Sequence, residues 1–217
     1  MTNFKHMSPL LKPSLTIKVF IIYYIVGLIG LGVPQSRELF ITLMPFSLLL
    51  SMTLLLLHHK AWRHRHVIMI ALIAILGYLI EVAGVLTGEV FGEYTYGRAL
   101  GVKLFDTPLM IGVNWIMLIY CVHTLFENLQ WPWWTKVLTG ASMMVVYDII
   151  MEPVAIRLDM WSWGGGDIPL QNYIAWFVIS LVFLGMMNLS KIKTQNQVAA
   201  WLLGVQTAFF LVLNVIV

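Results

Sequence analysis

Residues 77–115, GYLIEVAGVLTGEVFGEYTYGRALGVKLFDTPLMIGVNW, set the terms for the whole chain. The segment begins inside an apolar run and leaves it through Gly84, Thr87 and Gly88. It then crosses a polar, aromatic loop and enters a second apolar run at Pro108. Two apolar runs joined by a polar loop read as two membrane crossings. The first carries Glu81, the second Asn114 beside Trp115. An ionisable side chain inside a membrane span is costly and marks a functional position. The glycine-studded aromatic loop next to it reads as the wall of a pocket.

The same pattern extends in both directions. Apolar runs near 17–33, 39–57, 67–86, 108–126, 135–152, 173–189 and 198–217 approach the roughly 20 helical residues a hydrocarbon core requires. Of 217 residues, 60% are hydrophobic and 11% charged, against about half and a quarter in a soluble domain. Mean hydropathy is +0.86. The expected fold is therefore all-α: a polytopic integral membrane bundle of seven transmembrane helices, with residues 1–217 as one transmembrane domain. Near the first run, GLGVPQS (30–36) reads as a span end and turn, not as a signal-peptide cleavage site. Cys121 is the single cysteine, so no disulfide framework forms within the chain, and it reads as a small buried residue.

Charge gives orientation. Nine cations, Lys5, Lys12, Lys18, Lys60, Arg63, Arg65, Lys136, Lys191 and Lys193, fall on one side of this topology. Four, Arg37, Arg98, Lys103 and Arg157, fall on the other. The excess places the N-terminus in the cytoplasm and the C-terminus outside. The net charge of +3 follows from topology, and no cationic stripe interleaved with aromatics points to nucleic acid. Tryptophans at both boundaries read as interfacial belts: Trp131, Trp133 and Trp134 inside, Trp161, Trp163 and Trp176 outside.

This arrangement brings the unusual polar residues to one side and one depth. Glu81 falls in the outer half of the third span, Asn114 and Trp115 in the outer half of the fourth. Asp148 and Glu152 fall near the outer end of the fifth, and Asn172, Tyr173 and Trp176 at the start of the sixth. Glu81, Asn114, Asp148 and Glu152 are expected to line one cavity. Asp148 and Glu152 are four apart, on one helix face, and Pro153 disfavours helix before it, so the span is expected to end there. Two carboxyls this close in poor solvent should not both ionise. That supplies an acid and a base together, as general acid–base chemistry requires. The plainer readings are that Glu152 meets interfacial water, Asp148 and Asn114 bridge helices, and Glu81 pairs with Arg98 or Lys103. Tyr94, Tyr96, Trp115, Trp161, Trp163 and Trp176 could hold an apolar substrate and steady a passing cation through their ring faces.

Other chemistries fit less well. HHKAWRHRH contains His58, His59, His64 and His66, with His6 and His123 elsewhere. Membrane di-iron oxygenases need more histidines in several boxes, so this stretch reads as a basic loop touching lipid headgroups. Diphosphate chemistry needs paired acidic motifs to hold magnesium, and one short acidic pair is present. Gly164–Gly166 lacks the strand–loop–helix setting of a phosphate cradle.

At these residues the sequence resembles the membrane carotenoid-biosynthesis proteins that include acyclic carotenoid 1',2'-hydratases, which act on γ-carotene-type and bacterioruberin-precursor substrates. The matching pieces are Glu81 with Gly84, Thr87 and Gly88, then FGEYTYG (91–97) and LGVKLFDTPLMIGVNW (100–115). Further on they are DIIMEPVA (148–155) and WSWGGGDIPLQNYIAW (161–176). They cover about the middle half of the chain; the first, second and seventh runs match in hydrophobicity alone. The resemblance implies a membrane enzyme of a bacterial or archaeal cell that takes an apolar carotenoid from the bilayer. Such an enzyme adds water across a terminal double bond with no cofactor and no metal. From the chemistry, Asp148 is the expected proton donor, Glu152 its partner and the water's base, Glu81 the alternative donor and Asn114 the group that positions water. Tyr94, Tyr96, Trp115, Trp161, Trp163, Asn172, Tyr173 and Trp176 are the expected substrate contacts. A proton-coupled carrier also needs intramembrane carboxylates, though no internal repeat is visible. A membrane prenyltransferase is the third reading.

Overall fold

The computed structural model describes residues 11–60 and 62–217; Lys5 and His6 lie outside them. Among the described residues seven helices follow one another: α1 (Pro13–Gly32), α2 (Pro34–Leu57), α3 (His64–Thr87), α4 (Met110–Phe126), α5 (Trp133–Arg157), α6 (Leu170–Leu189) and α7 (Ala199–Ile216). Six are long and apolar enough to cross a membrane. The seventh, α4, has 17 residues, roughly 26 Å at 1.5 Å per residue. The protein is an integral membrane helix bundle.

Helix α4 can be short because it is central. It packs against α2, α3, α5, α6 and α7, and Trp115–His123 are buried without interruption. The outer helices instead leave rows of Leu, Ile, Val and Phe exposed, as lipid-facing surfaces require. Helix α1 lies at the periphery, against α2 and α7.

Loops gather at two ends. At one, here the strand end, the α3–α4 and α5–α6 connections fold into four short strands, which an all-helical reading did not contain. β1 (Tyr94–Tyr96) pairs antiparallel with β4 (Trp161–Trp163), and β2 (Lys103–Leu104) with β3 (Thr107–Pro108). The β2–β3 hairpin turns through Phe105 and Asp106, both at positive φ, the geometry a two-residue hairpin uses. Exposed Arg98 ties this end together through Glu38 and Asp159. At the opposite end, the histidine end, residues 58–60 and 192–196 pack together, with the Lys60 amide donating to the Thr194 carbonyl at 3.2 Å.

Three expectations are corrected here. Helix α5 does not stop at Glu152 but runs through Pro153 to Arg157. Proline inside a span is tolerated; Pro153 removes the amide that would serve the Ile149 carbonyl, and Asn214 of α7 braces the same turn by donating to the adjacent Ile150 carbonyl at 2.7 Å. Trp161, Trp163 and Trp176 are not an interfacial belt; all three are buried, whereas Trp131, Trp133 and Trp134 are exposed. Finally, His58, His59 and His66 are buried rather than turned to headgroups. His58 meets Thr16 at 2.7 Å, and His59 bridges Tyr120 at 2.7 Å and His66 at 2.9 Å. Burial, with His66 next to it, pushes His59 down to about 4.

Candidate active site

The strand end holds three buried carboxyls, Glu81 on α3 and the pair Asp148 and Glu152 on α5. On α3, Gly77, Glu81 and Gly84 are spaced by four and three residues, so they share one face. The two glycines let aromatic side chains approach the helix on either side of the acid. A Cβ at Gly77 would lie 2.8 Å from the Trp115 Cβ, and one at Gly84 would lie 2.6 Å from the Phe91 ring. Those close approaches deliver donors. Trp115 Nε1 reaches Glu81 Oε1 at 2.8 Å, and the Tyr94 and Tyr96 hydroxyls reach Oε2 at 2.6 and 2.7 Å.

The second carboxyl is served by the paired strand. Strand residues two apart face the same way, so Tyr94 and Tyr96 point inward from β1 and Trp161 and Trp163 from β4, while Thr95 and Ser162 face out. Antiparallel register sets Tyr94 opposite Trp163 and Tyr96 opposite Trp161. Both indole N–H groups donate to Glu152 Oε2, at 3.0 and 3.1 Å. The two-stranded ribbon is thus a lid with four inward donors, two phenols for Glu81 and two indoles for Glu152. Burial first, and the Glu81 carboxyl second, push both phenols well above their ordinary value, so they remain donors.

Asp148 is the third carboxyl, fully buried on α5. Asn172 Nδ2 donates to Asp148 Oδ2 at 2.7 Å and also lies 3.4 Å from Glu152 Oε1, joining the pair across α5 and α6. Asp148 Oδ1 is buried with no protein partner. It is the unsatisfied oxygen of the cluster. Among the described residues no cation pairs with any of the three acids: Arg98 turns to Glu38 and Asp159, and Lys103 donates to the Tyr96 carbonyl. The expected pairing of Glu81 with Arg98 or Lys103 is therefore replaced by aromatic donors.

A cavity of about 140 Å³ adjoins the cluster. Asn114, Tyr147, Met151, Met160 and Trp161 line it, with Leu100, Met110, Ile111 and residues of α1, α2 and α7. Trp161 is shared, with its ring in the wall and its N–H on Glu152. Of the four residues expected to line one cavity, Asn114 does so, making no hydrogen bond among the described residues, while Glu81, Asp148 and Glu152 sit together behind the wall. Trp176 stacks on Trp115 at 4.4 Å. Tyr173 is half-buried and makes no hydrogen bond among the described residues. The sequence reading missed Gln206, a buried carboxamide in the cavity wall. The reasoning that singled out Asn114, a lone amide in an apolar span, applies to it equally.

Residues 40–217 match the family described as carotenoid biosynthesis protein. The bisanhydrobacterioruberin hydratase of Haloarcula japonica is 29% identical over 109 residues, covering 46% of this chain and 37% of that protein. The matched portion is thus little more than a third of the relative's length. No solved structure matches the chain significantly. With the family match extending over all but the first helix and the start of the second, the chain belongs to the carotenoid biosynthesis protein family.

Proposed function

We propose that the protein hydrates the terminal trisubstituted double bond of an acyclic carotenoid drawn from the bilayer, giving a tertiary alcohol. The observation that carries this reading is Asp148 Oδ1, a buried carboxyl oxygen without a partner in a pair bridged by Asn172. Asp148 transfers its proton to the less substituted alkene carbon; the π pair becomes the new C–H bond and the positive charge falls on the tertiary carbon. A water lone pair forms the C–O bond, and the proton shed by that water passes to Glu152. Transfer across the Asn172-bridged pair restores Asp148. The net change is addition of one water, with no change in electron count. Trp115 and Trp176, stacked together, offer ring faces to the cation. Glu81, whose oxygens already accept three donors, holds the aromatic wall in place.

The end group enters through the cavity, where Asn114 positions water. Met151 lies in the wall one turn from Asp148, and its flexible thioether is the group the end displaces to reach Oδ1. The related hydratase supports the reaction class. We place the N-terminus in the cytoplasm from the Lys/Arg distribution; reporter fusions after His66 and after Arg98 should read opposite sides, and matching signals would overturn that orientation. The reaction is tested by expression in a bacterium that accumulates lycopene or γ-carotene, with extracts read by mass. A pigment heavier by one water is expected. Unchanged pigment at verified protein levels would remove the hydratase reading.

A further inference from the structure

The β2–β3 hairpin departs from the rest of the strand end by folding back along the helices. Where it leaves, a Cβ at Gly101 would lie 2.8 Å from the Pro45 ring of α2. Beside its turn, the Tyr78 hydroxyl of α3 donates to the Leu104 carbonyl at 2.6 Å. Pro45 comes seven residues after Glu38, the exposed partner of Arg98, and Tyr78 nine residues before the end of α3 at Thr87. At about 1.5 Å per residue, both contacts fall roughly 10–14 Å down their helices. That is inside one leaflet of a hydrocarbon core about 30 Å thick.

Side chains and backbone suit that depth. Val102, Leu104, Phe105 and Leu109 are exposed and make an apolar outer surface, whereas Thr107 and Pro108 are buried. Backbone at membrane depth must find its partners within the protein. The Leu109 amide donates to the Val102 carbonyl at 3.0 Å, and Tyr78 serves Leu104. Lys103 sends its ammonium back to the Tyr96 carbonyl of the lid, as a lysine rooted in lipid does. Asp106 at the turn is exposed, and its carboxylate keeps the turn from sinking further.

Behind the hairpin lies the cavity. Helices α2 and α3 both pack on α4 and scarcely on each other, and the hairpin fills the gap from Pro45 to Tyr78. Leu100 and Met110 at its two roots, with Met44 and Ser47 beside Pro45, line the cavity. A volume of about 140 Å³ holds the end of a molecule and not a long chain, so the chain must pass out through the wall. We propose that the β2–β3 hairpin is a re-entrant plug, and that a long apolar chain from the bilayer reaches the cavity through the α2–α3 gap when the plug swings off α3. Among the described residues Tyr78 makes the one side-chain bond that holds the turn to α3. Gly101, at φ 81°, is the pivot, in left-handed backbone that glycine adopts freely. The inference takes from the proposed function that the ligand comes from the bilayer, and adds the route.

The test uses full-length protein in lipid nanodiscs. Cys121 is fully buried, so an added cysteine alone takes a fluorophore. On Phe105→Cys the label should be quenched by nitroxides on the acyl chains and shielded from iodide. On Gly165→Cys, in the exposed 164–166 loop, the reverse is expected. Iodide quenching at both sites, or a Phe105→Cys label shielded from both quenchers as a protein partner would shield it, overturns the plug. The route is followed with an acyclic polyene hydrocarbon delivered from donor vesicles, its arrival read as quenching of tryptophan emission. Tyr78→Phe removes one neutral hydrogen bond and should speed uptake about two- to tenfold with the same end point. Joining cysteines at both positions (Tyr78→Cys with Leu104→Cys) by a short bis-maleimide should stop uptake, while either single variant treated alike still fills. Uptake that survives the cross-link, or a Tyr78→Phe rate equal to wild type, overturns the route. Wild type that stays empty with its hairpin label among acyl chains would remove both the route and the bilayer-drawn ligand. A protein that fills through the gap but converts nothing keeps this inference and loses the hydratase reading.

Discussion

The two ends of the bundle both bury polar side chains, but they use them differently. At the histidine end the buried acid is Glu127. It accepts the backbone amides of Thr194 and Gln195, each at 2.8 Å, and the Thr194 hydroxyl at 3.1 Å. His123 reaches the Ile192 carbonyl at 2.9 Å, and Asn196 reaches the Leu55 carbonyl at 2.8 Å. These partners are largely main chain, and together they fasten the α6–α7 connection to α2 and α4. At the strand end the partners are side chains brought from distant segments, and one oxygen of Asp148 is left over. A polar group that satisfies backbone stabilises the fold. Each end leaves one buried atom unpaired, His66 Nε2 at the histidine end and Asp148 Oδ1 at the strand end; what sets the strand end apart is that its unpaired atom belongs to one of two adjacent carboxyls that share Asn172.

Asp148 tests that contrast most severely. Asp148→Asn keeps the shape and can keep the Asn172 contact, but removes the transferable proton. General acid–base groups contribute about a hundred- to ten-thousandfold, so conversion at matched expression should fall by that order while thermal unfolding barely moves. If Asn at 148 converts normally and Glu81→Gln does not, the proton donor is Glu81. Normal conversion by both would remove the carboxyl mechanism.

Glu127→Gln should give the opposite result. It retains one acceptor oxygen but loses the charge that strengthens three hydrogen bonds, a loss of about 1.5–3 kcal/mol. The thermal midpoint in detergent should drop, and activity per folded molecule should not. A variant that melts normally but is inactive would erase the division between the two ends.

The helices were legible in the sequence because lipid forces long apolar runs on any span, and all seven runs became helices. The three acids were legible for the same reason: Glu81, Asp148 and Glu152 stand out against Leu, Ile and Val. Their partners were not. Whether Tyr94 and Trp163 face each other depends on the register of two strands 67 residues apart, fixed by Tyr94↔Trp163 and Tyr96↔Trp161. The YTY and WSW alternation signals short strands but does not say that they pair. The burial of His59 and His66 was hidden similarly, because the chain around them reads as an exposed basic loop until residues 192–196 cover it. Pro153 misled in the other direction: a proline inside a span removes one amide bond without ending the helix, and Asn214, which braces that turn at the Ile150 carbonyl, comes from the last span.

Gly77 sharpens the strand-end account by a smaller step. In Gly77→Ala the new methyl meets the Trp115 Cβ and must displace it, since 2.8 Å is too close for carbon. Overpacking costs about 1–3 kcal/mol, and Trp115 is also the donor to Glu81 Oε1. We expect a modest fall in stability together with an altered near-ultraviolet circular dichroism signal from the Trp115–Trp176 stack. Lost stability with an unchanged aromatic signal would mean that Trp115 is not what the glycine accommodates.

The smallest expected effect is a pH dependence at the histidine end. His59 is buried against Tyr120 and His66, and its affinity for a proton falls from the ordinary 6.5 to about 4 in the folded protein. The unfolded chain then binds the proton more readily than the folded one, so stability rises with pH wherever the two differ. The contribution of neutral His59 is fully present above about pH 6.5, declines as the pH falls, and is gone once His59 protonates in the fold near pH 4. Thermal midpoints between pH 7 and pH 4 should therefore decrease more steeply in the wild type than in His59→Gln, which can bond Tyr120 but does not titrate. Equal slopes in wild type and His59→Gln would show that the acid sensitivity arises elsewhere.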